Sequence, residues 1–392
     1  MIIWLLSDYD VSKYFAFNSF ISRFSRLHPE VKIELKIKNR ENMWKSFFNS
    51  LKDPKNYPPA DIAEIPHTWT SIFAKLGLFM EVGHIFENFE PGEYPEFVKE
   101  GIFLDGTNYA FSVPLWLEIM TFQYRADMLK PVLKNRDVNF LSWEDFVSLC
   151  AEVGARNKRK DFYPLDNFNF SGAVSADEVL MCVLNRTDGY FSADSGNSGI
   201  MKDEVVAGVE DFLGLAAKKH MPLFQENFYE MGFLKAGLSA MAFSWRMPYE
   251  AGRERLCAAQ FPQIRRKTNI GRSFNLAVSS STERLEECRN FMKWLYTPEN
   301  ADYLCKTFRV FRPKKKDLTA TLAGPRFKVY EDIYPSLRLT PNFPVYPTFE
   351  ILFNNLLFES CLDIEKGGYS REALVKRLAV LKGEVDYLLS IY

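Results

Sequence analysis

Several points along the chain place an aromatic ring beside a planar polar group where an apolar run begins or ends. Asp8 and Tyr9 follow "IIWLL", His67 and Trp69 follow "DIAEI", and Trp245 and Arg246 follow "AMAF". Trp116 and Glu118 precede a run that ends at Tyr124, and Arg272 precedes Asn275–Val278. Aromatic rings can lie on the C–H faces of a ligand, and carboxylates, imidazoles and guanidinia can bond its hydroxyls. This is the chemistry of holding a polar molecule. The sharpest case is "SAMAFSWRM". Ala240 to Phe243 read as a short buried strand, and the bulkiest side chain falls just past its end. In open α/β sheets, ligands sit at the carboxyl ends of strands.

Residues for making and breaking bonds are harder to find. The sequence has no G-x-S-x-G elbow, no P-loop, no Rossmann glycine fingerprint and no paired-histidine metal motif. His28, His67, His84 and His220 are scattered. No cofactor, metal site or catalytic residue is expected. A hydrolytic carboxylate pair stays open, because its members need not be close in sequence, and with it an α/β hydrolase acting on glycosides. Cys150, Cys182, Cys257, Cys288, Cys305 and Cys361 include no CxxC pair. Cys150, Cys182 and Cys288 fall on apolar helical faces, which reads as buried free thiols and favours a reducing compartment.

The elements that must position these residues alternate. Ile2–Leu6 reads as a strand and Val11–Leu27 as a helix with Phe17, Phe20, Ile21, Phe24 and Leu27 along one stripe. Val31, Ile33, Leu35 and Ile37 follow the period of a second strand, then comes a helix through Trp44 and Phe47, and Asp61–Ile65 is a third strand. Ile119–Tyr124 is strand-like. Ser142 and Ser175 can each cap a helix, and Asp203–His220 is a further one. Thr297-Pro298-Glu299 is a helix start, and two last helices are broken at Gly367-Gly368. Strand alternating with helix marks a parallel, doubly wound α/β sheet. Trp44 and Trp143, on helices, read as packing residues.

At 392 residues, two domains are expected. The 49 Lys and Arg balance 50 Asp and Glu, so no global charge draws the chain to nucleic acid or an anionic membrane. There is no 18-residue apolar run, and "MIIWLLSDYD" lacks the form of a signal peptide. The expected location is extracytoplasmic, periplasmic or at the cell surface, if an export signal has been removed, and cytoplasmic if the sequence is complete.

From end to end the order of segments resembles the family 1 extracellular solute-binding proteins, the sugar-capturing components of ABC importers. The fragments that carry the resemblance are "FISRFSRLHPEVKIEL", "PADIAEIPHTWTSIFAKLGLFMEV", "YAFSVPLWLEIMTFQYRADML", "LSWEDFVSL", "FLKAGLSAMAFSW" and "LAVSSSTERLEECRNFMKWLYTPENADYL". The resemblance implies a two-lobed periplasmic-binding-protein-like fold, with doubly wound sheets joined by a multi-segment hinge. Residues 1–112 and 257–308 would form the N-terminal lobe, and 115–250 and 312–392 the C-terminal lobe. A mono- or oligosaccharide, or a sugar derivative, would bind in the cleft between them for delivery to an ABC permease by a monomer.

Glu118, six residues before Tyr124, matches an acidic sugar-binding position of the family. Tyr346, in "TPNFPVYPTFE", matches the region that brings a late aromatic residue to the ligand. The ligand-binding set is then Asp8, Tyr9, His67, Trp69, Trp116, Glu118, Tyr124, Trp245, Arg246, Arg272 and Tyr346. Arg246 and Arg272 leave an acidic sugar or phosphorylated polyol open, since guanidinium also matches carboxylate and phosphate. Asp8 and Arg272 could instead form an ion pair, and His67 could cap a helix. A sensory or interaction protein that has kept a solute-binding fold is the alternative function.

Overall fold

The computed structural model describes residues 1–6, 11–166, 176–187, 198–224, 232–248, 256–324 and 327–391, with only the backbone at 11–14. Asp8, Tyr9 and the capping residue Ser175 lie outside the described residues. Ten strands are present among those described: β1 Ile2–Leu6, β2 Glu34–Lys38, β3 Ile62–Pro66, β4 Val113–Ile119, β5 Thr121–Arg125, β6 Tyr163–Asp166, β7 Ser239–Ser244, β8 Leu256–Ala259, β9 Asn269–Val278 and β10 Leu337–Leu339. The chain divides into two compact units. One comprises residues 1–118, 271–323 and 339–344, and the other residues 119–270, 324–338 and 345–392.

The sheet of the first unit has the order β10-β9-β3-β1-β2, with β4 also paired to β9. β1 runs parallel to β2, Ile3 opposite Leu35, and parallel to β3, Ile3 opposite Ile62. β9 runs antiparallel to β3, Glu64 opposite Leu276. The sheet is therefore mixed, although strand–helix alternation predicts a parallel one. The three parallel strands follow the helical crossovers, whereas β9 is reached only after a long excursion of the chain. β9 is also longer than the run Asn275–Val278, because Arg272 and Ser273 interrupt its apolar pattern. The reading Ile119–Tyr124 resolves into β4 and β5, broken at Met120.

Helix Val11–Leu27 buries Phe17, Phe20 and Phe24 against this unit. The stripe stops one turn short of expectation: Leu27 is 64% exposed, and His28 stacks on Phe24 at 4.4 Å. Phe17 lies 6.1 Å from Phe308, and Phe24 meets Phe291 edge-on at 5.2 Å. Helix Arg40–Lys52 begins at Asn39, whose side chain accepts the Asn42 N–H at 2.8 Å. It brings Trp44 and Phe47 onto Phe73, at 5.0 and 4.6 Å. Such offset and edge contacts add roughly 0.5–1.5 kcal/mol per pair beyond area burial.

In the second unit the sheet order is β6-β7-β5-β8, with β7 parallel to β6 and antiparallel to β5. Its core rings are Phe122, Phe146, Phe243 and Phe261, with Trp143 stacked on Phe261 at 5.9 Å. Ser142 caps helix Trp143–Arg156 by accepting the Asp145 N–H at 3.0 Å, as its sequence predicts. Helices Ala176–Arg186 and Asp203–Ala217 approach closely at Gly208, where a Cβ would stand 2.7 Å from the Val183 Cα. Helices Tyr346–Glu365 and Arg371–Ile391 are separated at Gly367, which adopts φ +71°. Among the described residues no helix is long and apolar enough to cross a membrane. All six cysteines are free thiols, five of them buried and Cys257 half-buried.

Candidate functional site

In the first unit, β3 ends at Pro66 and delivers His67 into a buried polar network. Nε2 lies 2.8 Å from the Thr340 carbonyl oxygen, and Nδ1 lies 3.2 Å from the Ser273 carbonyl oxygen and 3.3 Å from the Ser273 nitrogen. Ser273 Oγ donates to Asn275 Oδ1 at 2.9 Å. Asn275 Nδ2 donates to the Gly101 carbonyl at 3.0 Å and to Ser112 Oγ at 2.8 Å. The segments around 67, 101, 112, 273 and 340 are thereby tied together. Burial lowers the His67 pKa to about 4, against the pull of the Thr340 and Ser273 carbonyls and with added repulsion from Arg272 and Arg40. His67 is thus neutral and built into its unit.

Trp69 is 5% exposed, packed edge-on to Trp44 at 5.1 Å and to Phe73 at 6.0 Å. Trp116 is 1% exposed, with Phe308 at 5.3 Å, Phe274 at 5.9 Å and Phe17 at 6.3 Å. Both rings are walls of the unit's core. Two residues along β4, Glu118 is fully buried, and its Oε2 accepts Arg272 Nε at 2.6 Å. The Arg272 guanidinium also lies 5.4 Å from the centre of the Phe274 ring. Two nominated residues, Glu118 and Arg272, are therefore brought together as an ion pair across neighbouring strands.

In the second unit, β7 ends at Ser244 and Trp245 follows it half-buried. The turn is fixed from below: Gln123 on β5 donates its Nε2 to the Arg246 carbonyl at 2.5 Å, and the Arg246 N–H donates to Ser244 Oγ at 3.2 Å. The Arg246 side chain is 9% exposed. The antiparallel register sets Thr121 opposite Ser244 and Tyr124 opposite Met241. Tyr124 therefore stands three residues, about 10 Å, back from the end of β7. Its hydroxyl is beside Cys257, and burial foremost pushes its pKa up to about 12. Tyr346 is 1% exposed at the start of its helix, against Phe349 at 5.7 Å.

Two groups of polar residues escaped the sequence reading. Gln123 lies inside an apolar strand, where its one visible sign is a polar residue in a buried pattern. At the carboxyl end of β2, a groove of about 680 Å³ is lined by Ile37, Lys38, Asn39, Asn42 and Lys45, with Ser46 and Asn49. There Lys38 Nζ donates to Ser46 Oγ at 2.6 Å and lies 3.9 Å from the Trp4 ring centre. Burial, and then Lys36, lower the Lys38 pKa. Among the described residues no group of His, Cys, Asp and Glu could hold a metal ion.

The fold is shared with solved sugar-binding proteins. An ABC substrate-binding protein from Listeria monocytogenes, in complex with cycloalternan, is 12% identical with a TM-score of 0.82, covering 100% of this chain and 98% of its own. A solute-binding protein from Thermotoga lettingae, bound with α-D-tagatose, is 15% identical with a TM-score of 0.81, covering 99% of both chains. The Thermus thermophilus maltotriose-binding protein, bound with maltotriose, is 16% identical with a TM-score of 0.78, covering 98% of this chain and 100% of its own. These likenesses establish the α/β two-lobed periplasmic-binding-protein fold. No curated relative matches by sequence. The profile of the bacterial extracellular solute-binding proteins matches residues 28–321, most of the chain. The chain therefore belongs to the bacterial extracellular solute-binding protein family, non-enzymatic components that bind solutes outside the cytoplasm and work with an ABC transporter.

Proposed function

We propose that the solute is a carbohydrate, a mono- or oligosaccharide, captured for delivery to an ABC permease. The observation that carries this reading is Trp245: a half-buried ring just past the carboxyl end of β7, with its turn held by Gln123 and Ser244. A ring on a fixed backbone can stack on a sugar face with little ordering cost. The sugars bound by the three structural relatives support the same ligand class. In this reading Arg246, Arg272, Asp8 and Tyr9 supply polar contacts, while Glu118 orients Arg272 from within the unit and Tyr124 lies behind the strand end. His67, Trp69, Trp116 and Tyr346 hold the frame from within their own units.

The Arg272–Glu118 pair bears on ligand charge. The Arg272 guanidinium already has a carboxylate at 2.6 Å, so a neutral polyhydroxylated ligand suits it better than an anionic one. Titration calorimetry tests the proposal with a panel of neutral mono- and oligosaccharides beside acidic and phosphorylated sugars. Saturable binding of a neutral sugar without turnover is the expected result. Binding of only the charged sugars, or of none of the panel, would overturn it.

A further inference from the structure

Within the first unit, the segment of residues 85–94 and helix Leu285–Leu295 line a cavity of about 420 Å³, together with Val113, Tyr296 and Lys314. That is the size of a small-molecule site. None of its lining residues belongs to the set proposed to meet the sugar. Its walls include Phe86, Phe89 and Tyr94, with the Phe89 and Tyr94 rings 5.9 Å apart. Tyr94 is 2% exposed, yet its hydroxyl bonds no group among the described residues and is not sealed in. A buried phenol ordinarily has a partner. The neighbouring Tyr296 shows this, its hydroxyl donating to the Val113 carbonyl at 2.9 Å. The free polar atom on the cavity wall is therefore the Tyr94 hydroxyl. Burial, and then the Glu93 carboxylate, raise its pKa, so it keeps its proton.

The charges around the cavity decide what fits it. Arg289 is spent: Nε donates to the Ile85 carbonyl at 2.6 Å, Nη2 to the His84 carbonyl at 3.3 Å, and Nη1 to Glu286. Lys314 is paired with Glu93 at 2.5 Å. Glu87, Glu90 and Lys293 also line the cavity, and none of them makes a salt bridge among the described residues. Two carboxylates against one ammonium leave the uncommitted charge negative, beside three aromatic rings. We propose that this cavity binds a small organic cation, an alkyl- or arylalkylammonium, in the first unit alone. Glu87 and Glu90 supply the field that draws the charge in, and the ring faces favour a cation with an apolar body. The Tyr94 hydroxyl accepts an ammonium N–H and so gains the partner it lacks. An anion would meet two unpaired carboxylates and a single unpaired ammonium.

Titration calorimetry of the full chain tests this with three probes of one shape: phenethylammonium, neutral 2-phenylethanol and anionic 3-phenylpropanoate. Phenethylammonium should saturate with a Kd of about 1 mM or below. The alcohol and the anion should bind about tenfold more weakly or not at all. Glu87→Gln and Glu90→Gln should each weaken the cation about threefold or more, and Tyr94→Phe by a similar factor. Glu365→Gln, an exposed change in the other unit, should leave its binding unaltered. Because the Tyr94 hydroxyl has no partner, the melting temperature of Tyr94→Phe should match the parent's, which separates a lost ligand contact from lost folding. No saturation up to about 10 mM would overturn the proposal, as would a preference for the alcohol or the anion. So would an equal loss in Glu365→Gln, which marks a net-charge effect, or a lowered melting temperature in Tyr94→Phe, which marks a structural partner for the hydroxyl.

Discussion

Acidification should loosen the first unit through His67. Its ring is buried and neutral, with a pKa of about 4 against an ordinary 6.5. Below pH 6.5 the unfolded chain takes up a proton that the folded chain refuses, so unfolding gains protons and stability falls with pH. The contribution is complete above about pH 6.5, declines at about 1.4 kcal/mol per pH unit, and is gone near pH 4, where the folded ring also protonates. Across that window the loss is about 3 kcal/mol, an order-of-magnitude figure for a buried group. Urea midpoints at half-unit pH steps between 7.5 and 4.5 measure it, on the parent chain and on His67→Gln. The glutamine variant should be less stable at pH 7.5, because it strains the bonds to Thr340 and Ser273. Its curve should then be flatter than the parent's between pH 6.5 and 4.5. Parallel curves would show that the ring titrates normally and that the buried network does not hold it neutral.

Replacing Trp245 with alanine should cost roughly 2 kcal/mol of sugar affinity, about thirtyfold in Kd, with the melting temperature little changed. Calorimetry and thermal melts read the two effects separately. Trp116→Ala should instead lose about 3–5 kcal/mol of stability, because its ring fills a core bounded by Phe17, Phe274 and Phe308. Denaturant unfolding measures this. Gly208→Ala drives a methyl against the Val183 backbone and should cost about 1–3 kcal/mol. Thiol reagents should modify the native protein slowly at five of the six cysteines. Burial raises the thiol pKa of Cys150 and Cys182 and pushes Cys288 and Cys305 up to about 12. Rapid labelling of more than one cysteine in the folded state would refute this.

The same thiols bear on where the protein works. Six cysteines without a CxxC pair read, by composition, as favouring a reducing compartment, yet the family is extracellular. The two are reconciled by burial. A thiol with a raised pKa and no solvent path is a poor nucleophile, so it survives as a thiol in oxidising surroundings. Composition counts cysteines without weighing their access.

Access also separates what was legible in the sequence from what was not. Periodicity located the elements because it reports one buried face. The strand of Ala240 to Phe243, the Ser142 cap and the stripe of Phe17, Phe20 and Phe24 were all visible in this way. Strand direction was not visible, since β9 has the same pattern parallel or antiparallel. Tryptophans at strand edges were ambiguous for a related reason. Trp69, Trp116 and Trp245 each sit beside a polar residue near the limit of an apolar run, but their surroundings come from distant segments. Phe308 lies 192 residues beyond Trp116, and Trp44 lies on another helix from Trp69. Trp245 differs because its neighbours fix the backbone of its turn while its ring stays half-buried. A half-buried side chain whose backbone anchor is satisfied can be desolvated by a ligand at little cost to the fold. That places the case for solute contact on Trp245, and it is why loss of affinity without loss of stability should single out this tryptophan.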